Sequence, residues 1–279
     1  MKKNYVSLAL KLILVFLLTL VCANMVGAAD KTLMMATTTS TDNTGLLDYL
    51  EPYFKKSTGI ELKWTAVGTG KALKMGENCD VDVLLVHAPA AEKTFVQAGF
   101  GTDRQEVMFN DFIIIGPEAD PAGIKGKSTA DALSEVTTKK ALFVSRGDNS
   151  GTHKKEMSLW SAAGKPIPDK EKWYVQTGQG MLASIIIAAE RNGYILTDRG
   201  TYIKYEADNK GNPPLKILVE GDDTLKNQYS VIAIDTKHCP KVKRQLAQQF
   251  SDWLVGKEAQ KLIKDFKLMG KALFIPNAK

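Results

Sequence analysis

The sequence predicts an α/β fold with mostly parallel sheets. Short apolar runs alternate with amphipathic segments along the chain, which is the pattern of strands alternating with helices. Four of the apolar runs end in turns rich in Gly, Ser and Thr that lead into a helix. Because ligands of such sheets bind at the carboxyl ends of the strands, the four turns together predict one binding site.

The first 29 residues predict a secretory signal peptide. Lys2 and Lys3 precede an apolar run centred on 12–21, and small residues at 27–29 follow. The alternative is an uncleaved membrane anchor, because the run carries no charge and is nearly long enough to span a bilayer. Its polar and small end favours cleavage after Ala29. The mature chain is therefore expected in the periplasm or another extracytoplasmic space.

Composition excludes some classes of function. The chain has 279 residues and a formal net charge of +6, and removing the three leader lysines leaves 34 basic and 31 acidic residues, a net charge of +3. There is no Lys/Arg run, so nothing indicates nucleic acid as a partner. Only Cys79 and Cys239 remain in the mature chain; an oxidising compartment allows a bond between them, which spacing does not establish. No CxxC motif or Cys/His cluster in the sequence indicates zinc, and no cofactor is expected.

The first turn follows a predicted strand over 32–36 and offers five hydroxyl side chains within 37–41. A helix cap needs only one hydroxyl, so this turn has donors to spare. The amphipathic helix that follows contains Pro52, which is expected to kink or shorten it. The candidate donors of this turn are Thr38, Thr39 and Ser40.

The second turn follows a predicted strand over 59–67 and contains Thr69 between two glycines, before a helix from Lys71. Glycine on both sides lets the backbone approach a ligand closely. A lone GxG is weak evidence, and the chain lacks both the dinucleotide fingerprint and the P-loop pattern. A third strand is predicted over 81–86, followed by a helix over 89–98.

The third turn, from Ser145 to Thr152, joins an apolar strand over 141–144 to a helix over 150–163. A helix N-terminus points backbone N–H groups at whatever lies before it, and Arg146 adds a fork of donors, so an anion is the natural occupant. The alternative is an ordinary helix start capped by Ser150 with the arginine on the surface. The candidate donors here are Arg146, Ser150, Gly151 and Thr152.

The fourth turn precedes a helix over 181–191, and Gly180 stands at its start. This helix is apolar almost all round, so deep burial is expected, with Gly193 closing it. A further short turn is predicted over 198–201. Strands over 112–115 and 228–235 and two amphipathic helices beyond residue 241 complete the chain.

Residues 32–235 resemble the tungstate-binding component of tungstate ABC transporters, a family of periplasmic-type solute-binding proteins. The resemblance implies a type II periplasmic-binding-protein fold, in which two α/β lobes are joined by two crossover strands, here near Phe112 and Tyr229. Lobe 1 would comprise 30–111 plus 231–279, and lobe 2 would comprise 112–230. The motifs that carry the resemblance are Thr37-Thr38-Thr39-Ser40, the run from Ala66 to Leu73, Asn110-Asp111-Phe112, the run from Ser145 to His153, Gly178-Gln179-Gly180-Met181, the run from Asp198 to Tyr202, and Glu220-Gly221-Asp222.

The resemblance also implies the ligand and the partner. The ligand would be a tetrahedral oxyanion, tungstate first and molybdate second, held by hydrogen bonds with no metal directly coordinated, and the partner would be a membrane permease for a monomeric binding protein. Charge-assisted hydrogen bonds contribute roughly 1.5–3 kcal/mol each and nanomolar binding needs about 12 kcal/mol, so about six to eight contacts are needed. The implied donors are Thr38, Thr39, Ser40 and Thr69 from lobe 1, and Arg146, Ser150, Gly151, Thr152 and the backbone near Gly180 from lobe 2.

The same residues allow three other functions: binding of phosphate or sulfate, hydrolysis, and sensing. Asp148 could accept the proton of hydrogen phosphate, although a role as cap or partner of Arg146 is the favoured interpretation. Sulfate carries no proton but is smaller than tungstate, so its hydrogen bonds in a pocket built for tungstate would be long. Ser145, Asp148 and His153 lie close in sequence and are the residue types of a hydrolase triad, but no GxSxG motif is present, and His153 is expected to pack or cap. The prediction is therefore that the protein is not an enzyme. A sensory ectodomain would require the leader to be retained as an anchor.

Overall fold

The computed structural model describes residues 31–279, of which Leu33–Lys279 form one compact unit. The predicted leader and its cleavage site lie outside the described residues. Strands and helices alternate, so the predicted α/β class is confirmed. Within residues 31–279 no helix combines the length and the apolarity that crossing a bilayer would require.

The strands are β1 (Thr32–Thr38), β2 (Glu61–Val67), β3 (Val83–Val86), β4 (Gly101–Pro117), β5 (Phe143–Ser145), β6 (Tyr174–Gln176), β7 (Tyr194–Asp198), β8 (Leu215–Val219), β9 (Lys226–Ile234), β10 (Lys267–Leu268), β11 (Lys271–Ala272) and β12 (Ile275–Pro276).

Ten α-helices lie between and after these strands in the described part of the chain. A 3-10 turn, Asp223–Leu225, precedes β9. The helices are α1 (Thr39–Asp42), α2 (Leu46–Thr58), α3 (Thr69–Glu77), α4 (Pro89–Gln97), α5 (Thr129–Lys139), α6 (Gly151–Ala162), α7 (Met181–Glu190), α8 (Arg199–Asp208), α9 (Arg244–Val255) and α10 (Lys257–Asp265).

The main sheet has two sections that share β4. The strand order is β2-β1-β3-β9-β4-β7-β5-β6. In the first section β1 pairs with β3 in parallel, and in the second β5 pairs in parallel with β6 and β7. β4 runs antiparallel to β9 from Gly101 to Asp111, and antiparallel to β7 and β8 from Phe112 to Pro117. The predicted crossover strands lie within β4 and β9. The two-lobe boundaries at 111 and 231 remain a prediction.

Both sections bury apolar side chains on both faces. Val83 and Leu85 of β3 enter one core, while Leu84 and Val86 enter another. In the second section Ile114 and Ile113 of β4 likewise enter two different cores. Such uninterrupted apolar strands are expected where helices cover both faces of a sheet. Because both faces of the sheet are covered, a ligand can reach the sheet only at the polar loops that follow the strand ends.

Pro52 does not end helix α2, so of the two expected effects, a kink or a shorter helix, the second does not occur. The helix continues for six residues to Thr58 and ends at Gly59, whose φ is +70°. Phe54, beyond the proline, is fully buried, and its ring centroid lies 5.1 Å from that of Phe250. Burying a phenylalanine contributes about 1.5–3 kcal/mol, which offsets much of the cost of a lost helical hydrogen bond.

Helix α7 is not deeply buried all round, so that prediction is wrong. Ile185 and Ala188 pack into the core, whereas Leu182 is 40% exposed and Ile186 is 46% exposed. The helix lies on one face of the sheet, and a helix in that position can bury only the stripe facing the strands, whatever the rest of its surface contains. Its C-terminal left-handed residue is also Asn192, with φ of 50°, and not Gly193.

The segment predicted as a short turn over 198–201 is the start of helix α8. Asp198 caps it, because its Oδ1 accepts from the backbone N–H of Thr201 at 2.8 Å and its Oδ2 from the hydroxyl of the same residue at 2.7 Å. An Asp at the N-cap is a standard helix start, and the apolar periodicity that follows it here is weak. That weakness explains why the sequence pattern did not predict a helix.

Cys79 and Cys239 form a disulfide with their Cα atoms 5.5 Å apart. The sequence allows this bond without establishing it; it links residues 160 positions apart, just after α3 and in the loop after β9. Cys79 has φ of 65°, a conformation unusual outside glycine. His238 lies beside the two sulfurs, so the fold does form a Cys/His cluster that the sequence did not show. Because both sulfurs are joined to each other, neither is a thiolate that could ligate zinc.

Candidate functional site

A cavity of about 350 Å³ lies where four loops meet at the ends of β1, β2, β3 and β5. Three of these loops lead into helices α1, α3 and α6, whose first N–H groups have no acceptor within their own helix. The predicted turns do meet at one edge of the sheet, as the carboxyl-end rule for α/β sheets leads one to expect, and the binding site itself stays a prediction. Eight of the nine predicted site residues line this cavity: Thr38, Thr39, Ser40, Thr69, Arg146, Ser150, Gly151 and Thr152.

The loop after β1 contributes a cluster of hydroxyls. Thr38 caps α1, and its Oγ1 accepts from the N–H of Thr41 at 3.3 Å. The same oxygen lies 2.6 Å from Oγ1 of Thr41 and 3.1 Å from Oγ of Ser40. The run of Thr and Ser in the sequence thus forms one connected hydrogen-bonded group at the cavity wall.

The side chain of Thr69 carries a buried hydroxyl that forms no hydrogen bond within the described part of the chain. It is the first residue of α3 and is 3% exposed, and its Oγ1 has no hydrogen-bond partner among residues 31–279. A buried hydroxyl left unpaired costs about 1–3 kcal/mol, so a partner is expected from outside the chain. A Cβ placed on Gly151 would lie 3.5 Å from this oxygen, which shows how closely the loops after β2 and β5 approach each other.

Arg146 is held by its own loop. Its Nη2 donates to Oδ2 of Asp148 at 2.5 Å, and Oδ1 of Asp148 accepts from the N–H of Ser150 at 3.1 Å. Burial raises the pKa of Asp148, but the hydrogen bonds from Ser150 and the charge of Arg146 outweigh it and hold the pKa below its usual value. Asp148 is therefore ionised near neutral pH and fixes the guanidinium. This is the role favoured from the sequence.

The tight path of this loop requires glycine at position 147. Gly147 has φ of +61°, and a Cβ there would lie 2.7 Å from Cβ of Gln176 on the neighbouring strand. Both the backbone conformation and the contact exclude a side chain. Asn149 takes a second left-handed position, with φ of 59°. The two positions turn the chain so that α6 begins directly at the cavity.

Helix α6 begins at the cavity with two amides that precede its first internal hydrogen bond. Ser150 caps it, with Oγ accepting from the N–H of His153 at 3.3 Å. The N–H groups of Gly151 and Thr152 come before the first intrahelical bond, so they remain to bind a ligand. The helix dipole adds about half a positive charge at this end, which favours an anion.

Gly180 is not brought into the same cavity. It lines an adjoining cavity of about 460 Å³, which Arg146, Thr39 and Ser40 also line. The predicted set therefore divides between two neighbouring cavities with shared walls. The charge around the first cavity comes from Lys71 and Arg146 against Asp148, so it is net positive.

His87 is the site residue that the sequence reasoning missed. Its Nε2 lies 3.0 Å from Oγ1 of Thr38 and 3.2 Å from Oγ of Ser40, and its Nδ1 lies 2.9 Å from Oδ1 of Asn227. Burial lowers the pKa of this imidazole below its ordinary value. The residue follows β3 directly, so the rule that found the other turns could have found it. No acidic or Cys residue stands at metal-ligand spacing from it, so the sequence alone gives this histidine no local signature.

The possible hydrolase triad does not form. His153 uses Nδ1 to accept from the N–H of Asn149 at 3.0 Å, a capping role, and Asp148 is engaged with Arg146 and Ser150. Burial lowers the pKa of His153. Neither residue is arranged to activate a serine nucleophile, which requires the base to face the hydroxyl and the acid to face the base.

Comparison with known proteins gives a consistent set of relatives. Residues 26–258 match the PBP superfamily domain. The chain is 56% identical over 240 residues to the tungstate-binding protein TupA of Campylobacter jejuni, covering 86% of this chain and 89% of that protein. The TupA of Peptoclostridium acidaminophilum is 45% identical over 262 residues, covering 90% of both. A solved tungstate-binding TupA from Desulfovibrio alaskensis G20 superposes with a TM-score of 0.85 at 69% identity, covering 89% of this chain and 99% of that chain.

Proposed function

Because the chain belongs to the PBP superfamily, within the family of tungstate-binding solute-binding proteins, we propose that it captures tungstate and delivers it to the permease of an ABC transporter. Molybdate is the second ligand, since it has the same charge and nearly the same size. The protein acts by binding and release and not by catalysis. Its partners are the tetrahedral oxyanion and the permease, and it works as a monomer.

One observation supports this proposal more than any other: donors from the loops after β1, β2 and β5 line one cavity with a fixed guanidinium. Thr39, Ser40, Thr69, Arg146, Ser150, Gly151 and Thr152 offer hydroxyl, guanidinium and backbone donors. At roughly 1.5–3 kcal/mol for each charge-assisted bond, about six to eight such bonds are needed to reach the 12 kcal/mol or so of nanomolar binding after the costs of ordering and desolvation. Thr38 belongs to the same set of lining residues.

The size of the cavity favours closure around the ligand. At about 30 Å³ for each water, 350 Å³ holds roughly a dozen waters, whereas tungstate has five heavy atoms. An anion of that size does not touch all the walls at once. We therefore expect the loop after β5 to move towards the loops after β1 and β2 when the anion binds, with the second section of the sheet acting as the moving lobe. This movement would also bring the N-terminus of helix α7, where Gly180 lies, towards the same anion.

The state of Asp148 favours tungstate over hydrogen phosphate. Both carboxylate oxygens already accept from the protein, one from Arg146 and one from Ser150. The other groups that line the cavity are mainly donors, which suit a fully deprotonated oxyanion better than one that carries a proton. Hydrogen phosphate is therefore the weaker ligand, and sulfate, which is also proton-free, is the weaker one because it is smaller than tungstate.

The location rests on the leader and the family. We propose that residues 1–29 are a cleaved signal peptide and that the mature protein works outside the cytoplasm. Mass spectrometry of the exported protein should give an N-terminus at Asp30. An intact leader in the membrane fraction would instead support an anchored sensory ectodomain.

Isothermal titration calorimetry tests the proposed ligand. The mature protein is titrated near neutral pH with tungstate, molybdate, sulfate and phosphate in turn. We expect one-to-one binding of tungstate with a dissociation constant near nanomolar, molybdate close to it, and sulfate and phosphate silent. Tight binding of phosphate with weak binding of tungstate would overturn the assignment and leave the fold unaffected.

A further inference from the structure

The hydrogen bonds that link His87 to Asn227 and Asn227 to Asn110 have the same donor-to-acceptor direction. Its Nδ1 lies 2.9 Å from Oδ1 of Asn227, and the amide NH₂ of Asn227 donates to Oδ1 of Asn110 at 2.7 Å. Asn227 therefore presents an oxygen to the ring, and Nδ1 must carry the proton that bonds to it. In a neutral imidazole the other nitrogen, Nε2, is then an acceptor with one lone pair.

The surroundings keep this ring neutral. Burial lowers the pKa of His87, and the hydrogen bond to Asn227 and the charge of Asp198 counteract that effect only in part. The ring also stacks on Tyr229, with centroids 4.7 Å apart. Its neighbours across the cavity, Lys71 and Arg146, are cations that add nothing in favour of a positive ring.

Two hydroxyls compete for the single lone pair of Nε2. Oγ1 of Thr38 lies 3.0 Å from it and Oγ of Ser40 lies 3.2 Å from it. Thr38 is 3% exposed, while Ser40 is open enough to line both cavities. Oγ1 of Thr38 can also accept the hydroxyl proton of Thr41, 2.6 Å away. In one consistent arrangement, therefore, the hydroxyl of Thr41 donates a hydrogen bond to Thr38, and the hydroxyl of Thr38 donates to the ring. The hydroxyl proton of Ser40 then has no assigned acceptor.

We propose that His87 is a positioning residue of the anion site: its Nε2 accepts the hydroxyl proton of Thr38 and so leaves the hydroxyl of Ser40 to donate into the cavity. This inference rests on the proposed function, which it deepens. It makes Thr38 a support for the site and Ser40 the donor to the anion. It also removes the imidazole as an acceptor for a proton on the ligand, which favours tetrahedral oxyanions that carry no proton.

Nuclear magnetic resonance of the ligand-free protein tests the tautomer directly. The chain has three histidines, so long-range proton–nitrogen spectra of protein labelled with [¹⁵N]histidine give three separable patterns. His87→Gln identifies the pattern of position 87 by its disappearance. We expect a protonated Nδ1 and an unprotonated Nε2 at neutral pH. A protonated Nε2 would reverse the network and overturn the inference, whatever the ligand proves to be.

Substitutions then test the effect on binding. His87→Gln keeps a polar acceptor near the position of Nε2, whereas His87→Phe keeps the aromatic shape without it. For tungstate we expect His87→Gln to stay within about threefold of the parent dissociation constant and His87→Phe to weaken it about tenfold, the worth of one hydrogen bond. Ser40→Ala should weaken it by at least the same factor. Thermal unfolding of each variant checks that the fold is retained.

His238→Gln is the matched control, because His238 contacts the carbonyl of Glu77 and the ring of Phe100, away from both cavities. It should bind tungstate as the parent does. Equal affinities for the parent, His87→Gln and His87→Phe would overturn the positioning role. If the parent itself fails to bind tungstate, the proposed function fails, while the tautomer measurement still decides the state of His87.

Discussion

The guanidinium of Arg146 and the carboxylate of Asp148, two residues further along the same loop, are joined by a hydrogen bond of 2.5 Å. Asp148 in turn holds the N–H of Ser150, the cap of helix α6. The charge of the arginine and the start of the helix are thus fixed by one side chain. Removing that side chain should disturb both.

Replacing Arg146 should reduce tungstate affinity most. Arg146→Ala removes a charged donor worth roughly 1.5–3 kcal/mol, which corresponds to a loss of about ten- to hundredfold, and Arg146→Lys should fall between, because it keeps the charge without the fork. Asp148→Asn should weaken binding less than Arg146→Ala. Calorimetry measures each, with Arg244→Ala as control because Arg244 pairs with Asp103 outside the site. Parent-like affinity of Arg146→Ala would contradict the site assignment.

The unpaired hydroxyl of Thr69 should show opposite effects on binding and stability. Thr69→Val keeps the shape and removes a buried oxygen that has no partner among the described residues. We expect tungstate affinity to fall about tenfold while the free energy of unfolding stays equal or rises, since an unpaired polar group is lost. Calorimetry and urea unfolding measure the two quantities. A loss of stability without a loss of affinity would show that the hydroxyl serves the fold and not the ligand.

A methyl group at position 151 should occupy space needed by the anion. A Cβ there would lie 3.4 Å from Cε1 of His87 and 3.5 Å from Oγ1 of Thr69, which are ordinary contacts. Gly151→Ala should therefore fold as well as the parent, since alanine favours a helix by up to about 1 kcal/mol, and should bind tungstate at least tenfold more weakly.

Gly180→Ala is the matched comparison, because a Cβ there meets no atom within 4 Å. If Gly180 joins the anion only on closure, this variant should weaken tungstate binding without changing thermal stability. Affinity unchanged from the parent would restrict the site to the first cavity.

Stability should fall as pH rises from about 4.5 to 7 because of Glu156. Burial raises the pKa of this carboxyl to about 7, although Tyr174 donates to it at 2.6 Å. The unfolded chain releases the proton near pH 4.5, so the folded chain binds more protons between that pH and 7 and the free energy of unfolding decreases across this range, by about 3 kcal/mol. Urea unfolding at pH 5 and pH 8 measures the change.

Glu156→Gln should remove this pH dependence, because the amide oxygen still accepts from Tyr174 and does not titrate. Glu135→Gln, on the surface beside Lys127, should leave it in place. The same slope between pH 5 and 8 in the Glu156 variant and in the parent would assign the effect to another group.

Reducing the disulfide should lower stability without affecting the ligand. Closing a loop of 160 residues stabilises a protein by about 2–5 kcal/mol, chiefly by restricting the unfolded chain. Urea unfolding with and without a reductant measures this, and calorimetry under both conditions should give the same tungstate affinity, since neither cysteine lines either cavity. A change in affinity on reduction would show that the bond acts on the site.

The sequence predicts the parts of the site that carry a local signature. The turns at Thr38, Thr69 and Ser150 were found because each must combine hydroxyls or glycine with a helix start, and that combination is visible within a few residues. His87 has no such signature. Its partners are Thr38 and Asn227, at 49 and 140 positions away, and only the pairing of strands brings them together.

Burial was harder to predict than secondary structure. The apolar sequence of α7 indicated a helix correctly, yet Ile186 faces outward, because burial depends on which neighbours the sheet supplies. The disulfide could be stated only as possible, since Cys79 and Cys239 meet only when α3 and the loop after β9 are both in place. In both cases the missing information lies in long-range packing and not in local propensity.

The place of β9 between β3 and β4 sets an order in which the molecule can be completed. A chain that emerges from its N-terminus exposes β1, β2 and β3 early, yet their section lacks an inner strand until residue 234 has appeared. The strands of the second section are all present by residue 219. The strands in the middle of the chain can thus complete their section of the sheet while β3 still has an unpaired edge. An unpaired edge of this kind is a template for aggregation, so this is the interval in which a nascent chain most needs protection.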